Sequence, residues 1–398
     1  MSLPAALLSS SHPPLLPLVD ATLRFNHPNT QQQLLIWKTR PQSVLVLKKL
    51  GDSLLPQLMS ALTILRHQCG LRCVVEKDVY DRLSVEDGFG FAETFYSAEV
   101  ADGRLAADID FVVCLGGDGV ILHASSLFSG PAPPIISFNL GSLGFLTSHR
   151  FEDFTADVLA LTACGDTSPS PAAANGNGHG AAAAPAAGAR PSLPRPPTLY
   201  DGPLGLLGGA YITLRMRLQC DLVRRGGVVE HSFTVLNEMV VNRGNTPYLT
   251  KIECYERDRL ITKVQADGII IATPTGSTAY SASAGGSMLH PCMAAMLFTP
   301  VCPHSLSFRP VVLPDSAELE LRIPKDARAT AWVSFDGKAR HELKRGDAVR
   351  VRMSPYPLPT INKADQTNDW FSSLGRCLGW NERVEQGSLG TEEGGLGA

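Results

Sequence analysis

The sequence predicts two domains of different class: an α/β domain on a parallel sheet, then a β-rich domain. Three observations predict this. Before residue 165, short runs that are apolar on both faces alternate with helical patterns, as in a sheet covered on both sides. After residue 207 the apolar period becomes two, the mark of half-buried antiparallel strands. Between them lies a stretch of Ala, Pro and Gly that cannot bury a core.

Taken in order, residues 1–40 are Pro-, Ser- and Gln-rich and are expected to be disordered or loosely docked. The α/β domain is assigned to 41–164. Ser43–Lys49 reads as a buried strand. Leu55, Leu58, Leu62 and Leu65 then mark one helix face, with Pro56 in its first turn and Gly70 as its stop. Leu71–Glu76 and Ile109–Leu115 read as strands, Val120–Phe128 as a helix and Pro134–Asn139 as a fourth strand. Residues 165–207 form a low-complexity insertion or linker. The β-rich domain is assigned to 208–360. Tyr211–Gln219 opens it as a strand with Ile212, Leu214, Met216 and Leu218 on one side and Thr213, Arg215, Arg217 and Gln219 on the other. Thr250–Tyr255, Ala317–Ile323, Ala331–Phe335 and Val349–Met353 follow the same pattern. Residues 361–398 are expected to be a C-terminal segment with a mobile, acid- and Gly-rich tail.

Composition excludes several classes. The chain has 398 residues, 44% hydrophobic and 18% charged, with a net charge of −3, and no apolar run approaches the ~20 residues of a membrane span. Neither the charge nor a pI near 6.4 suits a nucleic-acid surface or a polybasic membrane contact. Nine cysteines without a CxxC pair read as reduced thiols acting as small hydrophobes. The N-terminus lacks the basic region of a secretory signal. The cytoplasm is the expected compartment, with a plastid or other organelle left open.

Three stretches carry chemistry. In VVCLGGDGV a strand runs into Gly116, Gly117, Asp118 and Gly119 and then a helix, which places bare amides at a helix N-terminus, a seat for phosphate. There is no P-loop Lys; the only charge is Asp118, which repels phosphate unless it takes a proton from an attacking hydroxyl or stands near Mg²⁺. A helix-capping Asp is the bland alternative. In FTVLNEMVVNR, Asn237 and Glu238 form a polar pair inside an apolar strand. They are suited to a nucleobase, an amide or a ribose, or else to the backbone of a turn at a strand end. In DGIIIATPTGSTAYSASAGG, Asp267 precedes an apolar run, and Thr275, Gly276, Ser277, Thr278, Ala279, Tyr280 and Ser283 follow it. Small residues permit close backbone approach, and hydroxyls suit phosphate or ribose; a tight packing turn is the alternative.

In this order the three stretches resemble the NAD kinase family, closest to its plant and algal branch. WKTRPQSVLVLKK (37–49), LGSLGF (140–145), YLTKIECYERD (248–258), CPHSLSFRPVVLP (302–314), WVSFDGK (332–338) and TNDWF (367–371) fit the same family. The resemblance covers about 37–380, apart from the insertion. It implies an N-terminal Rossmann-like parallel α/β domain, a C-terminal β-sandwich domain and a site in the cleft between them. It implies ATP, Mg²⁺ and NAD as the small molecules bound, with transfer of the γ-phosphoryl to the 2′-hydroxyl of the adenosine ribose. Asp118 would then be the base, with Gly116, Gly117 and Gly119 shaping the phosphate turn. Asn237 and Glu238 would bind the adenine nucleotide, and Asp267 the nicotinamide side. Thr275, Gly276, Ser277, Thr278, Ala279, Tyr280 and Ser283 would line the pocket, with Phe145 nearby. No metal ligand is assigned. The family also implies a homo-oligomer, a dimer or larger, in which a site borrows residues from a neighbour. Val120 stands where the family commonly has Thr, which puts rate or phosphate donor in question. The rivals are a lipid kinase with a GGDG turn and a non-catalytic NAD(P)-binding sensor.

Overall fold

Strand Ser43–Lys48 sets the plan of the first sheet. Val44 and Val46 face one side, Leu45 and Leu47 the other, and all four are buried because both faces are covered. The computed structural model describes residues 21–25, 33–141, 144–162 and 209–381. The extension before residue 21, the 165–207 stretch and the tail after residue 381 lie outside the described residues.

The first domain runs β1 (Ala21–Phe25), β2 (Gln33–Trp37), β3 (Ser43–Lys48), α1 (Leu55–His67), β4 (Arg72–Val75), α2 (Lys77–Leu83), β5 (Glu93–Thr94), α3 (Ser97–Ala101), α4 (Arg104–Asp108), β6 (Phe111–Gly116), α5 (Asp118–Leu127), β7 (Ile135–Asn139), β8 (His149–Arg150) and α6 (Phe154–Thr162). Leu58, Ala61, Leu62 and Leu65 seat α1 on the sheet, and Pro56 lies in its first turn. Strands β5-β4-β3-β6-β7 are parallel neighbours, so the order reverses between β3 and β6. Ligands on such sheets bind outside the carboxyl ends of the strands at that switch point, where Gly116 ends β6.

After β9 (Gly209–Arg215) the second domain runs β10 (Leu218–Arg224), β11 (Val228–Val235), β12 (Glu238–Asn242), β13 (Thr250–Glu256), β14 (Arg259–Ala266), β15 (Gly268–Ala272), α7 (Tyr280–Ser283), β16 (Ala295–Val301), β17 (Val311–Pro314), β18 (Leu319–Arg322), β19 (Ala331–Phe335), β20 (Lys338–Leu343) and β21 (Ala348–Met353). These strands form two six-stranded antiparallel sheets, β11-β10-β21-β18-β13-β14 and β17-β16-β15-β12-β19-β20. Their inner faces share one core, with Leu222, Met239, Ile252, Ile271 and Phe335 buried in it. The chain then returns as β22 (Leu358–Ile361) and ends its described part in α8 (Gln366–Leu378).

Three expectations need correction, and the C-terminal segment gains a helix. Order begins before residue 41: β2 pairs with β9, and Leu35 and Trp37 are buried. Tyr211–Gln219 is two strands in two sheets, broken at Met216 and Arg217. The reason is Arg217, which is wholly buried. Its guanidinium donates to the carbonyls of Tyr356 (2.7 Å), Gly130 (2.7 Å), Ser125 (3.3 Å) and Phe128. It thus serves the unpaired carbonyl end of α5 while the chain changes sheets. The boundary at 360 falls inside β22, which lies between β9 and β7 in the first sheet. Residues 366–378 form a helix, capped by Asp365, whose side chain accepts from the amides of Thr367 and Asn368.

Candidate active site

Gly116 leaves β6 at φ 144°, where a side chain is strained, and a Cβ there would meet Val120 Cγ2 at 2.9 Å. Val120 is therefore a core residue beneath the turn, packed with Ile121 and Leu47. Asp118 is the first residue of α5 and does not cap it. Its carboxylate instead accepts from the segment after β7: Oδ2 from the Phe145 amide at 2.8 Å, Oδ1 from the Leu146 amide at 2.9 Å. Burial pushes its carboxyl above the ordinary aspartate range, while the Leu146 and Phe145 amides and the Arg215 charge oppose that shift. Beside it, a Cβ on Gly119 would meet nothing within 4 Å, so the N-terminus of α5 faces open space.

Asn237 does not lie inside a strand. It sits in the bend between β11 and β12, and Glu238 is the first residue of β12. The bend is pinned by Asp336, whose Oδ1 accepts from the amides of Asn237 (2.8 Å) and Glu238 (3.1 Å) and whose Oδ2 accepts from Leu236 (2.8 Å). Leu236 is buried in the same cluster as Val120, Ile121 and Leu146, which flank Asp118 and its amide partners, and the end of β11 lies against α5. Glu238 Oε2 is buried without a partner, and burial, then the Asp336 charge, pushes its carboxyl up to about 7.

The hydroxyl-rich stretch divides into two sets. Thr273 Oγ1 donates to Leu236 O (2.6 Å) and accepts from the Gly276 amide (3.0 Å). Ser277 Oγ donates to Pro274 O (2.6 Å) and accepts from the Leu289 amide (2.8 Å); Ser281 bonds Thr299 (2.9 Å). A Cβ on Gly276 would lie 2.2 Å from Asn237 O. Thr273 and Gly276 hold the loop to the Asn237 bend, and Ser277 and Ser281 tie it to Leu289 and Thr299. That corrects the expectation for Gly276, which packs against protein backbone, and for Ser277, whose buried hydroxyl is already satisfied. The outward set is Thr278 and Ala279, half-buried, with Tyr280 and Ser283 exposed.

Asp267 is not brought to this place within one chain. It pairs with Arg243 (2.8 Å) before the first residue of β15, while Ala272 at the other end stands opposite Glu238. Five residues of strand separate those ends by roughly 17 Å. Phe145 is brought in, in a small cavity of about 20 Å³ shared with Leu146, Arg215, Asp369 and Trp370.

Sequence reasoning missed the role of Asp336 and of Arg215, and the packing of Trp370 on His290 (5.0 Å, edge to face). One signal existed for Asp336. Asp336-Gly337 joins two strands as a two-residue hairpin, with Phe335 opposite Lys338, and Asp-Gly is a strong hairpin sign. Its grip on the distant 236–238 bend has no local signal. Asn139 Oδ1, Thr147 Oγ1, Glu238 Oε2, Thr275 Oγ1 and His290 Nε2 are buried without partners in these converging segments. Such atoms suit a polar ligand or ordered water. Among the described residues no group of three or more His, Cys, Asp or Glu is placed to hold a metal ion.

The family model for the ATP-NAD kinase N-terminal domain matches residues 45–166, and that for the C-terminal domain matches 236–363. NAD kinase 2, chloroplastic, of Arabidopsis thaliana is 55% identical over 94% of this chain, and the probable NAD kinase 2, chloroplastic, of Oryza sativa is 54% identical over 94%. The chain spans 34% of the length of each of these relatives. The crystal structure of yeast NADH kinase complexed with NADH superposes with a TM-score of 0.72 at 27% identity, covering 92% of this chain and 95% of that one.

Proposed function

The chain belongs to the ATP-NAD kinase family, and from that premise we propose that it transfers the γ-phosphoryl of ATP to the 2′-hydroxyl of the adenosine ribose of NAD, giving NADP. One observation carries the reading. A carboxylate fixed by two backbone amides stands at the open N-terminus of α5, against a bend that bears Asn237 and Glu238. Phosphoryl transfer needs positioning and charge stabilisation more than covalent chemistry. The amides at the start of α5 would face phosphate oxygens. Asn237 and Glu238 would take the adenine nucleotide, and Thr278, Tyr280 and Ser283 the outer wall. Asp118 would accept the 2′-hydroxyl proton as the oxygen attacks. Mg²⁺, when bound with ATP, would supply neutralisation of the triphosphate charge.

Asp267, far from Asp118 within one chain, fits a dimer or larger assembly in which it serves a neighbour's site. The relatives named chloroplastic support a plastid location. A lipid kinase is disfavoured, because the pinned 236–238 bend and the outward Thr278, Tyr280 and Ser283 offer polar groups to a ligand. The test is NADP formation from ATP, Mg²⁺ and NAD, read through an NADP-specific dehydrogenase, with Asp118→Asn alongside. Turnover absent from the folded wild type, while NAD still binds, favours the sensor.

A further inference from the structure

The glycine turn brings no cation of its own, yet an incoming phosphoryl must approach the Asp118 carboxylate. Arg215, the last residue of β9, is the charged group that meets this need. Its Nε donates to Thr360 Oγ1 at 3.0 Å, which fixes the guanidinium. Among the described residues it makes no ion pair, and its two Nη groups make no hydrogen bond. Asp118, Asp369 and Cys292 lie within electrostatic reach, and so does His290. Asp369 is engaged elsewhere, accepting from the amides of Lys363 (2.8 Å) and Ala364 (3.2 Å). Arg215 borders the cavity with Phe145 and Leu146, the two residues whose amides hold Asp118. It is enclosed by protein, yet keeps part of its surface in contact with solvent. Burial pushes the guanidinium down to about 10, so it stays charged at neutral pH. Lys49, the cation beside Gly116, is exposed and lacks such an anchor.

A desolvated cation without a partner is costly, and arginine's fork matches phosphate oxygens. We infer that Arg215 is a catalytic residue of this site, whose free Nη groups receive the oxygens of the transferring phosphoryl and then of the 2′-phosphate in the product. In the step, the 2′-oxygen–phosphorus bond forms and the bond from phosphorus to the bridging oxygen of ADP breaks. The 2′-hydroxyl proton passes to Asp118, and Arg215 neither gains nor loses a proton.

The inference rests on the kinase reading, and the test separates the two. NAD and NADP differ by the phosphate that Arg215 would touch. Dissociation constants for both, with kcat, are measured on wild type, Arg215→Gln and Arg215→Lys. Arg215→Gln should lose at least about tenfold in NADP binding relative to NAD, and about 100-fold in kcat, as removal of one aligned donor does. Arg215→Lys, which keeps the charge but loses the fork, should recover part of both. It also carries the test if Arg215→Gln fails to fold. Equal weakening of NAD and NADP would make Arg215 structural and overturn the assignment, as would wild-type ratios and turnover in either variant. A wild type that binds NAD but makes no NADP would remove the kinase reading and this inference with it.

Discussion

Gly144 lies directly against Asp118: a Cβ built on Gly144 would stand 2.1 Å from Asp118 Oδ1 and 3.0 Å from Thr147 Oγ1. The carboxylate cannot retreat without giving up the Phe145 and Leu146 amides that hold it. Gly144→Ala should therefore leave both domains folded and displace the base. A displacement of about 1 Å at a reacting group costs on the order of 100-fold, so kcat should fall by that order while the thermal melt moves by only a few degrees. Wild-type turnover in this variant would show that the carboxylate is not held as described.

Asp118 also dictates a pH response. Burial raises its carboxyl above the ordinary aspartate value, with the Leu146 and Phe145 amides and Arg215 opposing. A base acts only when ionised, so kcat should decline as pH falls, along a limb lying above the usual carboxylate range. Asp118→Asn should lose about 100- to 10,000-fold in kcat. The stability sign runs the other way. A carboxyl raised in the folded state contributes most below its unfolded value and loses that contribution as pH rises through the folded one. Asp118→Asn does not titrate, but its Nδ2 cannot accept from the Phe145 or Leu146 amide, so it should be less stable than wild type by a margin that is smaller at pH 8 than at pH 5, which urea titrations at the two pH values measure.

The parts of the fold visible in the sequence were those with local causes. The two-faced apolar runs gave β3, β6 and β7, and Gly116-Gly117-Asp118-Gly119 gave the turn before α5. The strand at 211–219 misled because its period of two is real on both sides of the break: Ile212 and Leu218 are each buried, in different sheets. Arg215 and Arg217 read as a solvent face, but one is half-buried beside Phe145 and Leu146 and the other lies inside the protein. An alternating pattern records which residues are polar; it does not record whether the polar side meets water or partners from elements more than 80 residues away, as Ser125 and Gly130 are from Arg217. The hydroxyl-rich stretch was legible as a site and not in its division of labour, since Thr273, Ser277 and Ser281 also bind Leu236, Leu289 and Thr299, which no spacing rule places beside them.

Arg217 supplies a stability prediction. Four carbonyls at the end of α5 and in the returning chain depend on one guanidinium. Arg217→Met would take this donor from the Phe128, Gly130 and Tyr356 carbonyls, while Ser125 O keeps the Phe128 amide, at about 1–3 kcal/mol for each carbonyl that finds no water. A loss of at least about 3 kcal/mol is expected in urea unfolding, with residual kcat per folded molecule preserved at low temperature. A loss under about 1 kcal/mol would mean that water replaces the guanidinium freely.

Glu238 opposes stability where it serves binding. Its side chain is buried, its Oε2 has no partner, and burial followed by the neighbouring Asp336 charge raises its carboxyl from 4.5 to about 7. By linkage, the stability this residue contributes is complete below 4.5 and disappears as pH rises through about 7. A shift of that size corresponds to about 3 kcal/mol at most. Glu238→Gln cannot ionise, so it should match wild type at pH 4 and exceed it by up to about 3 kcal/mol at pH 8.5. Urea midpoints across that range measure the divergence. The same variant should bind NAD more weakly at pH 8.5, because the unpaired carboxylate oxygen is what the bend offers to a ligand donor. A gain in stability with unchanged NAD affinity would detach Glu238 from the binding site and leave only its burial to explain.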